Sequence, residues 1–210
     1  MPFDLWLTFT AASLALLLIP GPTVLLVLSY ALSKGRSVAV ASAAGVALGD
    51  LVAMTASLLG LGALVLASAT LFTALKWVGA IYLVYLGVKL IRSAPTLQTL
   101  DLPDADTITA TRVFGHTAAV TALNPKSIAF FIAFVPQFIR PEAALAPQFT
   151  ILIATFVTLA ATNAFAYALA ASRLRRIVAQ PGILTWITRA GGSTLIGMGI
   201  LTATLRRGSA

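Results

Sequence analysis

Four chemical oddities interrupt stretches that are otherwise apolar. Asp50 is the only charged residue in residues 38–66, and Lys126 sits in the middle of residues 113–139. Asn163 stands within residues 144–172, and Pro20-Gly21-Pro22 breaks residues 5–33. Charge at the centre of a bilayer costs about 2.5–3.5 kcal/mol on insertion scales, so such groups face a bundle interior and mark function. From the end of its stretch, Pro22 lies 11 residues from Ser33, Asp50 12 from Val38, Lys126 13 from Val113 and Asn163 9 from Ser172. At a rise of ~1.5 Å per helical residue these are depths of about 14–20 Å. All four features therefore share one level. A carboxylate and an ammonium at one level have two uses: a structural ion pair that only joins two helices, or a site that binds and exchanges charge.

The proline breaks come as a pair. Asn124-Pro125-Lys126 interrupts its stretch as Pro20-Gly21-Pro22 interrupts the first. Aligning Gly21 with Asn124 and Pro22 with Pro125 gives an N-cap followed by proline at the first helical position, twice. Each restart leaves backbone N–H groups and a positive dipole end at the midplane. Either break alone reads equally well as a simple kink. Together they predict a paired, anion-receiving site.

The elements that carry these residues follow from hydropathy. Of the 210 residues, 59% are hydrophobic and 10% charged, against about 25% charged in a soluble domain. Such a chain is an integral membrane protein, and its length suits one domain covering residues 1–210. A helix crosses the ~30 Å hydrocarbon core with about 20 apolar residues. Six candidates satisfy that: 5–33, 38–66, 71–91, 113–139, 144–172 and 185–205. No Lys or Arg precedes the first run, which reads as a retained helix rather than a cleaved signal. Odd-numbered connections hold nine Lys and Arg and the other side holds four, which predicts odd loops in the cytoplasm and both termini outside. The one long polar loop, 92–112, carries Asp101, Asp104 and Asp106 and reads as a solvated linker.

The chain also repeats. Lys76-Trp77-Val78-Gly79-Ala80 and Arg189-Ala190-Gly191-Gly192-Ser193 both fit [KR]-x-x-G-[AS]. This predicts an all-α fold of six transmembrane helices in two three-helix repeats, residues 1–91 and 113–210. Three spans per repeat place them inverted in the membrane. Interrupted helices at matching positions of inverted halves point to the binding site of a secondary transporter. Ala41, Gly45, Gly49, Ala53 and Ser57 recur every four residues beside Asp50, a small-residue seam for close helix packing. Gly79, Gly191 and Gly192 read as packing positions too. Such seams serve internal packing or a homodimer equally well.

Inventory removes other chemistries. With no cysteine and one histidine, the chain has no disulfide, thiol or Cys/His metal chemistry, and no cofactor is expected. His116 lies three residues into its span, at an interface rather than in a catalytic position. There is no G-x-S-x-G for a hydrolase and no Walker motif for ATP. The net charge of +8 follows the cytoplasmic loops, not a nucleic-acid surface. A channel, or an exporter of another small solute or a metal cation, is the remaining alternative, and one histidine with a modest acidic cluster in the loop argues against metal.

At these residues the chain resembles the LysE/RhtB family of amino-acid exporters. Pro20-Gly21-Pro22 is similar to the family's first signature, and Asn124-Pro125-Lys126 with Phe130, Phe131 and Pro136-Gln137-Phe138 to its central one. Gly45, Gly49 and Asp50 resemble the second-span pattern, Gly79-Ala80 with Tyr82-Leu83 and Gly87 the third, and Gly191-Gly192 with Gly197 the last. The resemblance implies export of amino acids or derivatives across the bacterial inner membrane, coupled to the proton gradient, and no enzyme activity. On that basis the expected substrate site is Pro20, Gly21, Pro22, Thr23, Asn124, Pro125, Lys126 and Asn163. The carboxylate sits at the two helix restarts, Lys126 adds positive charge, and Asp50 takes the substrate ammonium or a proton.

Overall fold

The computed structural model describes residues 1–19, 21–92, 108–140, 143–178 and 181–204. Pro20, the loop acids Asp101, Asp104 and Asp106, and Arg206 and Arg207 lie outside the described residues. Regular structure among the described residues is entirely helical. The elements are α1 (Phe3–Leu18), α2 (Pro22–Lys34), α3 (Ala39–Ala67), α4 (Ala69–Arg92), α5 (Ala110–Ala122), α6 (Pro125–Ala133), α7 (Leu145–Val178) and α8 (Pro181–Thr204). Short 3₁₀ turns, Gly35–Val38 and Val135–Phe138, follow α2 and α6.

Three described segments are long and apolar enough to cross a bilayer: Pro22–Ala63, Thr73–Arg92 and Leu145–Ala171. The pair Ala110–Ala122 and Pro125–Phe138, bent by 45°, makes a fourth when taken as one span. The chain is thus a multi-span, all-α membrane protein. Neither α1 nor α8 is among these segments. The first break accounts for part of the difference from six. It leaves α1 with 16 residues, while α2 runs through the 3₁₀ turn towards α3. Gly35 marks that turn with φ +72°, a left-handed conformation that glycine adopts without steric cost.

Glycine sets how closely the helices approach. A Cβ on Gly45 would overlap the Thr117 hydroxyl and lie 2.5 Å from the Phe114 carbonyl; one on Gly49 would lie 2.6 Å from the Ala118 carbonyl. Helix α3 therefore rests on the backbone of α5, with Asp50 one residue beyond the contact. Gly87 of α4 and Gly192 of α8 meet in the same way, each Cβ position 2.5–2.6 Å from the other's carbonyl oxygen. Gly79 backs onto Ala133 of α6, and Gly191 onto the Ile19 side chain at the end of α1. This is small-residue packing, which brings helices together where lipid offers no hydrophobic driving force.

Aromatic rings fill the core beside these contacts. Phe130, Phe131, Phe134 and Phe138 meet Phe156 of α7 and Phe9 of α1. Phe131 and Phe156 sit edge to face with centroids 4.8 Å apart. A smaller cluster of Tyr30, Val38, Ile108 and Val113 lies apart from it. There the Tyr30 hydroxyl is hydrogen-bonded to His116 Nδ1 at 2.7 Å, and the His116 ring is exposed.

Candidate substrate site between two broken helices

Proline forces both breaks by the same steric rule. A residue that precedes proline is driven out of the helical region. Ile19, before Pro20, sits at φ −72°, ψ 118°. Gly21, before Pro22, is extended at φ −143°, ψ −173°, and Asn124, before Pro125, sits at φ −69°, ψ 111°. Helix α1 therefore stops at Leu18 and α2 restarts at Pro22 with Gly21 as N-cap. Helix α5 stops at Ala122 and α6 restarts at Pro125 with Asn124 as N-cap. Asn124 Oδ1 accepts the Lys126 N–H at 3.0 Å.

The two restarts touch. Asn124 Nδ2 donates to Thr23 Oγ1 at 3.1 Å, and the Thr121 hydroxyl donates to the same oxygen at 3.3 Å. The first helical bond of α2 runs from Leu25 N–H to the Gly21 carbonyl, and that of α6 from Ile128 N–H to the Asn124 carbonyl. The N–H groups of Thr23, Val24 and Ser127 come before those bonds and have no acceptor within their own helices. All three residues line one cavity.

The C-terminal end of α1 has the opposite polarity. Ending a helix leaves its last carbonyls without partners, which is costly away from water. Here they are met one after another by side chains. Lys126 Nζ donates to the Leu16 carbonyl at 3.1 Å and the Ile19 carbonyl at 2.8 Å. Asn163 Nδ2 donates to the Leu17 carbonyl at 3.1 Å, and the Tyr167 hydroxyl to the Leu18 carbonyl at 3.2 Å. A positive ammonium at a helix C-terminus also complements the helix dipole. Gly21 lies beside that ammonium, where a Cβ would be in ordinary contact with Nζ at 3.4 Å.

Asp50 faces the same cavity from α3, only 2% exposed. Its Oδ1 has no hydrogen-bond partner. The Asp50–Lys126 ion pair that the sequence leaves open is not formed; the ammonium is engaged on α1 instead. The cavity measures about 30 Å³. One water takes roughly 10–15 Å³ on that scale, so the space holds water and not an amino acid.

Gly21, Thr23, Asp50, Asn124, Lys126 and Asn163 all reach this cavity wall. Pro22 and Pro125 act through the backbone, as the first residues of α2 and α6. Pro20 lies outside the described residues. Lys126 differs from expectation: its ammonium binds α1 carbonyls rather than standing free for a carboxylate. Thr121, Ser127 and Tyr167 line the site without having been anticipated. A signal for Tyr167 existed. Ala160, Asn163, Ala164 and Tyr167 follow the i, i+3, i+4, i+7 spacing of one helix face.

Residues 14–206 match the family described as LysE type translocator. An uncharacterized membrane protein of Vibrio cholerae serotype O1 is 33% identical over 207 residues, covering 98% of this chain and 100% of its own. The homoserine/homoserine lactone efflux protein of Salmonella typhimurium is 32% identical over 206 residues, covering 98% and 99%. The leucine efflux protein of Klebsiella pneumoniae is 32% identical over 138 residues, covering 66% and 65%. No solved structure matches the chain.

Proposed function

Because the chain belongs to the LysE type translocator family, and is thereby a transporter rather than an enzyme, we propose that it exports amino acids or their derivatives by proton antiport. Two relatives are named for efflux of homoserine, homoserine lactone or leucine. One observation carries the reading for this chain. A buried carboxylate with an unpartnered oxygen faces two helix N-termini across a single cavity. A zwitterion needs that polarity. Its carboxylate goes to the free N–H groups at Thr23, Val24 and Ser127. Its ammonium goes to Asp50. A proton competes for the same carboxylate, and that competition couples substrate export to proton entry without further machinery.

The architecture we propose for this task is six spans in two inverted repeats within one domain, in the bacterial inner membrane with both termini outside. Support comes from which helices pair. Helix α3 packs on α7 and α4 on α8, and the two breaks meet. Each is a pair of equivalent elements, as a two-fold axis between the repeats requires. The 42-residue stretch Pro22–Ala63 is about twice what one crossing needs, and Gly35 divides it.

The test is Asp50→Asn in proteoliposomes loaded with homoserine or leucine. Efflux driven by a pH gradient is expected to be lost. Efflux at the parent rate would remove Asp50 from coupling.

A further inference from the structure

At about 30 Å³ the cavity is too small for an amino acid, so something must move to admit a substrate. Its wall includes Leu16 and Leu17 at the end of α1. Among the polar contacts on that end, one is of a different kind. Asn163 and Tyr167 give neutral hydrogen bonds to Leu17 and Leu18, whereas Lys126 brings a full charge to two carbonyls at once, Leu16 and Ile19. Charge-assisted hydrogen bonds are roughly twice as strong as neutral ones.

Building on the reading of this cavity as the substrate site, we propose that the C-terminal end of α1 is a receptor for a primary ammonium ion, that the side chain of Lys126 is its tethered occupant, and that departure of the ammonium opens the cavity. The unpartnered Oδ1 of Asp50, on the same wall, is the rival receptor. While Asp50 bears a proton, it has no charge to offer and Lys126 stays on α1. When Asp50 is bare, it draws the ammonium off α1, and the wall at Leu16 and Leu17 is released. Lys126 is on this view a positioning residue, acting through α1.

The chain has no native cysteine, so a single reporter suffices. Ala160 lines the cavity and is 1% exposed. The Ala160→Cys protein, reconstituted in liposomes, is treated with a charged maleimide, and the labelling rate reads cavity opening with no transport measured. Adding Lys126→Ala is expected to raise the rate about tenfold or more, the scale of a lost charge-assisted hydrogen bond. Propylammonium, which replaces the atoms removed, is expected to bring the rate back down. Propanol lacks the charge and tetramethylammonium lacks the N–H donors, so neither does so. Asp50→Asn is expected to slow labelling below the parent rate. Where Lys126→Ala does not insert, Lys126→Gln, which is one atom shorter and keeps N–H donors without the charge, carries the same test. An unchanged rate in the Lys126 variants, a raised rate that propylammonium does not lower, or an unslowed Asp50→Asn overturns the proposal. Since labelling is independent of flux, the α1 latch stands or falls apart from the antiport reading. Labelling as expected with efflux still proton-driven in Asp50→Asn overturns only the latter.

Discussion

Helix α1 is held in two different ways along its length. Its N-terminal half is packed by rings and one indole. Phe9 is fully buried with its centroid 5.3 Å from that of Phe138, and Trp6 Nε1 donates to Thr155 Oγ1 at 3.0 Å. Its C-terminal end is held by polar groups from α6 and α7 on four successive carbonyls. Ring packing sums many small, non-directional contacts and loses strength as soon as a gap opens. A carbonyl–donor contact is directional and can be exchanged for water or for another donor at little net cost. The same helix is thus fixed at one end and exchangeable at the other. The lesson is that the breaks do more than shape a binding surface. They place a switchable joint inside an otherwise rigid packing.

The strongest challenge to this contrast is on the rigid side. Gly49→Val puts new atoms against the Ala118 carbonyl, the Ala122 N–H and Thr121 Cβ, at 2.6–3.0 Å. Two of these are backbone and cannot turn aside. Loss of insertion or of the monodisperse detergent-solubilised protein is the expected outcome, read by size-exclusion chromatography. A well-folded Gly49→Val protein would show that α3 and α5 can slide, and the framework would no longer count as rigid.

Next in size is Phe131→Ala. Truncating a buried Phe costs about 3–5 kcal/mol in soluble proteins. Lipid removes much of the water-transfer share and leaves the packing share, so a loss near ~3 kcal/mol is expected. Thermal unfolding in detergent measures it. Labelling at Ala160→Cys should stay near the parent rate, because Phe131 does not line the cavity. A large rise in labelling would mean that the two ends of α1 are one mechanical unit.

These two regions were unequally legible in the sequence. Both breaks were readable, because proline acts on the residue before it whatever the surroundings. The N-cap role of Asn124 followed from the same local rule. The depth argument brings Pro22, Asp50, Lys126 and Asn163 to one level, since helical rise is constant. What it could not supply was direction. Lys126 and Asp50 were readable as partners from sign and depth alone. The carbonyls that take the ammonium instead belong to the backbone of Leu16 and Ile19, and backbone acceptors carry no residue code. The stacking of Phe9 against Phe138 is hidden for a related reason. In a helix as uniformly apolar as α1, no periodicity says which side faces the core.

The smallest expected effect is the most informative about the joint. Tyr167→Phe removes one hydroxyl from the Leu18 carbonyl and leaves the ring in place. Interhelical side-chain hydrogen bonds in membrane proteins average about 0.6 kcal/mol. The thermal stability should therefore barely move, while labelling at Ala160→Cys should rise about threefold, the equilibrium shift that energy implies. Combining Tyr167→Phe with Phe131→Ala separates joint from framework. If α1 is fixed at one end and switchable at the other, the stability losses add within about 0.5 kcal/mol, as they do for sites without shared partners. Strong non-additivity would show that strain passes along α1 from the rings to the carbonyls. The joint would then open only by loosening the packing that this contrast treats as fixed.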